Sequence, residues 1–193
     1  MKFGKWATYR ELGRGGQGTA YLALNTEALN PDALVAEIRT ILLQLHQVHV
    51  PEANQKAAFR LLQLVEAYLG RESDAHSGAL KVLHDTARSD TKALQRLRAE
   101  VEVLTSVNHP ALIPILDSTP QEGWYATPFY RRGTLASSIG EIAGNPYRAL
   151  ELFRPLVEGV AELHKRGVVH RNIKPENIFM SKHGLILGDF GIV

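Results

Sequence analysis

The segment His170-Arg171-Asn172-Ile173-Lys174-Pro175-Glu176-Asn177, followed by Asp189-Phe190-Gly191, constrains this chain more than any other. It packs a base, two basic groups, amides and an acid into a short stretch. Residues 168–190 read as short strands and loops, so these groups sit on connections and not inside a helix. The set suits phosphoryl transfer, in which charge is positioned and neutralised more than bonds are rearranged. Asn177 and Asp189 are oxygen donors of the kind Mg²⁺ takes, and Lys174 can meet charge developing on a transferred phosphate.

The rest of the chain must build a scaffold for that segment. With 193 residues, 45% hydrophobic and 22% charged, it has the composition of a globular protein and length for one domain or two small lobes. There is no cysteine, which excludes disulfides, thiolate metal sites and a cysteine nucleophile. A formal net charge of +2 spread over this length is no signature of nucleic-acid binding. No apolar stretch suggests a membrane span, and Met1-Lys2-Phe3-Gly4-Lys5-Trp6 lacks the apolar core of a secretion signal. A soluble, cytoplasmic protein is the expectation.

Residues 5–25 predict two strands around the glycine cluster Gly13-Arg14-Gly15-Gly16-Gln17-Gly18. Between residues 31 and 70, Leu34, Ile38, Ile41, Leu45 and Val48, then Ala58, Leu61, Leu62, Val65 and Leu69, recur at helical spacing. Asn30-Pro31 is a helix entry and Gly70 a helix stop, so a helical hairpin is expected between strands. A strand is predicted over 79–83, a helix over 90–106 capped by Ser89 or Asp90, strands over 112–116 and 124–127, and helices over 135–142 and 147–166. Pro155 should kink the last helix or delay its start.

The glycines Gly13, Gly15 and Gly18 form a G-x-G-x-x-G pattern that lets backbone approach a phosphate. A plain glycine-rich hairpin explains them equally well. A dinucleotide fold does not, since its last glycine opens a helix and residues 19–24 read as strand. Lys81 in the strand Ala79-Leu80-Lys81-Val82-Leu83 is either a solvated edge residue or a phosphate-binding cation held by a carboxylate. Glu100, on the following helix, could supply that carboxylate.

Taken together, these residues resemble the protein kinases, in style the bacterial serine/threonine kinases of eukaryotic type. The resemblance implies an α+β, two-lobe fold: a small lobe and hinge over residues 1–130, and the start of a helical large lobe over 131–193. Residues 26–77 would be a helical insertion between the second and third strands. It implies ATP and Mg²⁺ as cofactors and protein Ser or Thr hydroxyls as acceptors. Gly13, Gly15 and Gly18 would cover the ATP phosphates. Lys81 would hold the α- and β-phosphates, with Glu100 as its partner. Ala20, Ala79 and Phe179 would sandwich the adenine, Thr127 would guard the back of the pocket, and Phe129 would lie in the hinge at 128–130. Lys174 would be the phosphate lysine, with Asn177 and Asp189 as metal ligands. Leu104, His170 and Phe190 would stack together.

Three departures stand out. Asn172 occupies the place where the family has its aspartate base. An amide has no useful basicity, so loss of roughly 10²–10⁴-fold in rate is the expectation. Asn is nearly isosteric with Asp, so folding and Mg²⁺·ATP binding should survive. One such change among intact neighbours fits either an introduced inactivating substitution or a natural pseudokinase. Second, Val193 follows Asp-Phe-Gly closely, which leaves out the activation segment and later helices. A cut chain, or a fold completed by a partner, is expected, with an exposed apolar face near 147–166. Third, the leucine-rich insertion at 26–77 is either a surface decoration or an element for partner docking or self-association. A small-molecule phosphotransferase of kinase-like fold is a further reading, which the Lys174-Pro175-Glu176-Asn177 run disfavours.

Overall fold

The computed structural model describes residues 1–28 and 77–190. The first part of the chain forms one antiparallel sheet. Its strands are β1 (Lys2–Phe3), β2 (Trp6–Arg14), β3 (Gly18–Asn25), β4 (Ser77–Leu83), β5 (Asp117–Thr119) and β6 (Trp124–Pro128), in the order β1-β2-β3-β4-β6-β5. The expected hairpin around the glycine cluster is β2–β3, with register shifts between Thr8 and Arg10 and between Glu11 and Gly13. Such bulges raise the local twist and bend the strand toward the turn. On one face Trp6, Leu80, Val82, Trp124 and Ala126 form a buried core. Trp6 satisfies its indole N–H on Asp117 Oδ2 at 3.0 Å, as a buried tryptophan must.

Two helices follow β4: α1 (Asp85–Arg88) and α2 (Thr91–Ser106). Asp90 caps α2, its side chain accepting from the Lys92 N–H at 2.9 Å. Ala93, Leu97, Glu100, Val101 and Leu104 are the buried side of α2. Ala93, Leu97 and Val101 pack with Leu83 and Tyr125 under the sheet. The spacing that buries those apolar residues also carries one carboxylate, Glu100, inward.

The second part contains α3 (Leu135–Ile142), α4 (Pro146–Lys165) and the short pair β7 (Ile178–Ser181) and β8 (Gly184–Leu187). Asn145 caps α4 by accepting from the Arg148 N–H at 3.0 Å. The core here joins Leu156 and Leu163 of α4 to Ile178, Met180, Leu185 and Leu187, and reaches back to Leu104, Val107 and residues 111–113. Arg166 Nη1 donates to the Ser106 carbonyl at 2.8 Å, tying the end of α4 to the end of α2. No helix of the described residues is long and apolar enough to cross a membrane.

Three expectations change. Residues 112–116 are not a strand. Leu112 and Ile113 are buried core, joined to β8 through a Leu112–Leu187 bridge, with Ile113 N–H donating to Leu187 O at 2.9 Å, while Pro114 is exposed. Pro114 has no N–H to give a ladder, and the pairing strand begins at Asp117. Of the two effects expected of Pro155, a kink or a delayed start, the delay is not seen: α4 starts at Pro146 and runs through it. Glu151, which would have received the missing bond, is exposed, so water can serve its carbonyl. β1 and α1 were not expected at all. The helical hairpin expected within 26–77 lies outside the described residues, apart from a turn at 26–28. On α4, Tyr147, Leu150 and Val157 are exposed.

Candidate active site

Strand register builds one wall of the site. Gly13 pairs with Ala20, Ala20 with Lys81, and Lys81 with Tyr125; one step along, Ala79 pairs with Thr127. Directly paired residues share a sheet face. Gly13, Ala20, Lys81 and Tyr125 therefore form a row, with Ala79 and Thr127 beside it. Small residues at 20 and 79 leave this face shallow. Thr127 is buried, its hydroxyl donating to Ala79 O at 3.4 Å.

The glycines divide by their surroundings. A Cβ on Gly18 would lie 2.4 Å from the Val82 carbonyl oxygen, so the pairing of β3 with β4 requires glycine there. A Cβ on Gly13 would meet nothing within 4 Å, and one on Gly15 only Gly18 O at 3.8 Å. Neither has a positive φ. The fold does not need these two glycines, and their open surroundings are a cradle a ligand can approach.

Lys81 Nζ donates to both Glu100 carboxylate oxygens at 3.0 Å and to Asp189 Oδ1 at 3.0 Å. Glu100 is 5% exposed and also accepts from the Tyr125 hydroxyl at 2.8 Å. Burial works against the Lys81 charge, but Tyr125, Glu100 and Asp189 outweigh it and hold the ammonium above its ordinary range. Burial pushes the Glu100 carboxyl up against the pull of Lys81, and pushes the Tyr125 phenol well up. Lys81 is thus a fixed cation, a third exposed, between buried Glu100 and exposed Asp189.

The loop before β7 supplies the opposite wall. Asn172 Nδ2 donates to Asp189 Oδ2 and to Asp189 O, each at 3.2 Å. Asn177 Nδ2 donates to the Asn172 carbonyl at 2.8 Å. Asp189 and Arg171 have φ of 55° and 61°, uncommon for residues with side chains. Both support this turn of polar groups. His170 is buried, its ring 4.3 Å from that of Phe190, and Leu104 shares the core of Phe190. Burial lowers the His170 imidazole below its usual value. Its Nδ1 accepts from the Asn172 N–H at 3.3 Å, which requires that nitrogen unprotonated.

Lys81, Glu100, Asn172, Asn177 and Asp189 therefore form one continuous hydrogen-bonded set. Lys174 is exposed at the start of a 3₁₀ turn (Pro175–Asn177) and joins none of these bonds. Phe179 stacks on Tyr130 at 5.5 Å. Phe129 borders a separate cavity of about 390 Å³ with Arg131, Arg132 and Ile186, whose lining includes none of Ala20, Ala79 and Lys81. Tyr125 was missed by sequence reasoning. The signal was available: a tyrosine in a strand buried at every position has to find a partner for its hydroxyl.

The described residues contain no group of three or more His, Asp or Glu side chains that could hold a metal. Asp189 and Asn177 offer one carboxylate and one amide oxygen, since Asn177 spends its N–H on Asn172. Two protein donors fit Mg²⁺, which keeps waters and takes phosphate oxygens for the rest.

Residues 65–193 match the protein kinase domain family, and the chain belongs to that family. The particular relatives are serine/threonine kinases. The chain is 34% identical over 134 residues to serine/threonine-protein kinase pkn2 of Myxococcus xanthus, covering 66% of this chain and 16% of that protein. It is 34% identical over 119 residues to PknL of Mycobacterium tuberculosis, covering 60% of this chain and 30% of the relative. NUAK family SNF1-like kinase 2 of Rattus norvegicus is 28% identical over 192 residues, 93% of this chain and 30% of that one. The chain thus spans less than a third of these relatives. In fold it is similar to the PknI kinase domain of Mycobacterium tuberculosis, with a TM-score of 0.59 at 19% identity, over 100% of this chain and 62% of that one. The α+β two-lobe kinase fold expected from the sequence is the fold observed.

Proposed function

We propose that this chain binds ATP with Mg²⁺ between the sheet face of β3, β4 and β6 and the loop from His170 to Asp189. Its parent activity would be transfer of the γ-phosphoryl to Ser or Thr hydroxyls of proteins. The observation that carries this reading is the bonding of Lys81 to Glu100 and Asp189 at 3.0 Å, which fixes a cation beside an open glycine turn. Ala20, Ala79 and Phe179 would sandwich the adenine, with Thr127 at the back of the pocket and Phe129 in the hinge. Gly13, Gly15 and Gly18 would lie over the phosphates, Lys81 would hold them, and Lys174 would swing in from solvent. Asn177 and Asp189 would hold Mg²⁺. When bound, that ion would offset the charge of the phosphates. The lobes would divide at the hinge, residues 1–130 and 131–193.

Asn172 favours a second reading for the chain as it stands. Its amide donates toward Asp189 and cannot accept the proton of a substrate hydroxyl. The chain would then be a nucleotide-binding pseudokinase, or an inactivated kinase, with residues 26–77 as a docking or self-association element on the strength of their leucine pattern. A cytoplasmic setting suits either. Isothermal titration tests the common core. Mg²⁺·ATP should bind, and Lys81→Met should abolish the heat. Transfer of labelled phosphate by a longer chain then separates the two readings: Asn172→Asp restores it in a kinase and leaves a pseudokinase silent.

A further inference from the structure

We propose that the Asn172 amide is a built-in counter-group for Asp189, so that this chain takes up a nucleoside triphosphate with little dependence on a divalent cation. The proposal rests on the nucleotide-binding reading above and names Asn172 as a positioning residue within it.

Both oxygens of the Asp189 carboxylate already have protein donors. Oδ1 accepts from Lys81 Nζ at 3.0 Å and Oδ2 from Asn172 Nδ2 at 3.2 Å. The amide N–H₂ also reaches the Asp189 main-chain oxygen at 3.2 Å, so its orientation is dictated: a carbonyl oxygen turned that way would face two acceptors. Asn172 is held in turn by its neighbours. Its carbonyl accepts from Asn177 Nδ2 at 2.8 Å, and its N–H donates to His170 Nδ1 at 3.3 Å.

An aspartate at this position would set a carboxylate oxygen in place of Nδ2, about 3.2 Å from Asp189 Oδ2. Two carboxylates at that range repel each other unless a cation lies between them. The charges also decide how a polyphosphate is received. With Asn172, the bonded set holds one cation, Lys81, against two anions, Glu100 and Asp189. In Asn172→Asp it carries one further negative charge. A metal then has two tasks, separating the carboxylates and offsetting the phosphates, of which Asn172 removes the first. A divalent ion at Asp189 would share oxygens that already accept from Lys81 and Asn172, so it gains less here.

The experiment measures the dissociation constant of ATP for the full 193-residue chain in excess Mg²⁺ and in EDTA. It compares the unsubstituted chain, Asn172→Asp and Asn172→Ala, with a melting curve for each. The expected EDTA-to-Mg²⁺ ratio is below about tenfold with Asn172. It should rise by a further factor of about ten in Asn172→Asp, the size of one partly screened charge near the phosphates. Asn172→Ala should fall between them. A residue that only supported the loop would shift melting temperature and leave the ratio fixed. Equal ratios in the unsubstituted chain and Asn172→Asp would overturn the proposal while the nucleotide reading survived. If the aspartate variant fails to fold, a ratio above about tenfold in the unsubstituted chain overturns it alone. Absence of ATP binding under both conditions would overturn both.

Discussion

Replacing Tyr125 by Phe probes the network beneath Lys81 most cleanly, because it removes one oxygen and little volume. The hydroxyl donates to Glu100 Oε1 at 2.8 Å, with Tyr125 4% and Glu100 5% exposed. A hydrogen bond to a charged group contributes roughly 1.5–3 kcal/mol, and more of it is felt when the partner stays buried. Glu100 keeps Lys81 at 3.0 Å on both oxygens, so it is not left as an isolated charge, and the loss should stay within that range. The assay is urea unfolding with the midpoint shifted and the slope unchanged. Glu100→Gln and the double variant complete a cycle, with a coupling of about 1–2 kcal/mol expected between contacting residues. A Tyr125→Phe effect below about 0.5 kcal/mol, or additivity of the two changes, would refute the reasoning.

Other consequences follow from single positions. Gly18→Ala forces a Cβ to 2.4 Å from Val82 O and should destabilise by roughly 1–3 kcal/mol, whereas Gly13→Ala, in open space, should leave unfolding nearly unchanged and weaken ATP binding; calorimetry and denaturation together distinguish these. Gly159→Ala should destabilise α4 packing, since its Cβ would lie 2.9 Å from His109 Nδ1, a shift visible in the melting temperature. His170 has a folded pKa below its ordinary 6.5, so the unfolded chain protonates first as pH falls. The stability it contributes is complete above about pH 6.5 and is lost as pH drops toward the folded value. Unfolding free energy measured from about pH 7.5 downward should fall through that window, and His170→Gln should flatten the slope.

Much of this site was legible because its parts obey local rules. Asp90 as cap and the Leu97-Val101-Leu104 spacing set the phase of α2, and that phase alone turns Glu100 inward to Lys81. The glycine turn announced the hairpin but not the division of labour within it: Gly18 is required by the neighbouring strand and Gly13 is not, which depends on β4 arriving from far along the chain. Residues 112–116 misled for a similar reason. An apolar run signals burial, and only the position of β8 shows that it forms one bridge and no ladder. The aim of the Asn172 amide was equally hidden. Sequence gives its missing basicity, whereas its bond to Asp189 depends on a turn in which residues 171 and 189 both take positive φ.

The most direct test of the central claim, that these walls enclose a formed nucleotide site, is the melting temperature of the chain with and without Mg²⁺·ATP. Ligand at about 100 times its dissociation constant adds about 2.7 kcal/mol, a rise of a few degrees for a chain of this size. The account predicts that rise and its loss in Lys81→Ala. A cooperative melt that ATP does not move, or a rise that persists in Lys81→Ala, would contradict it.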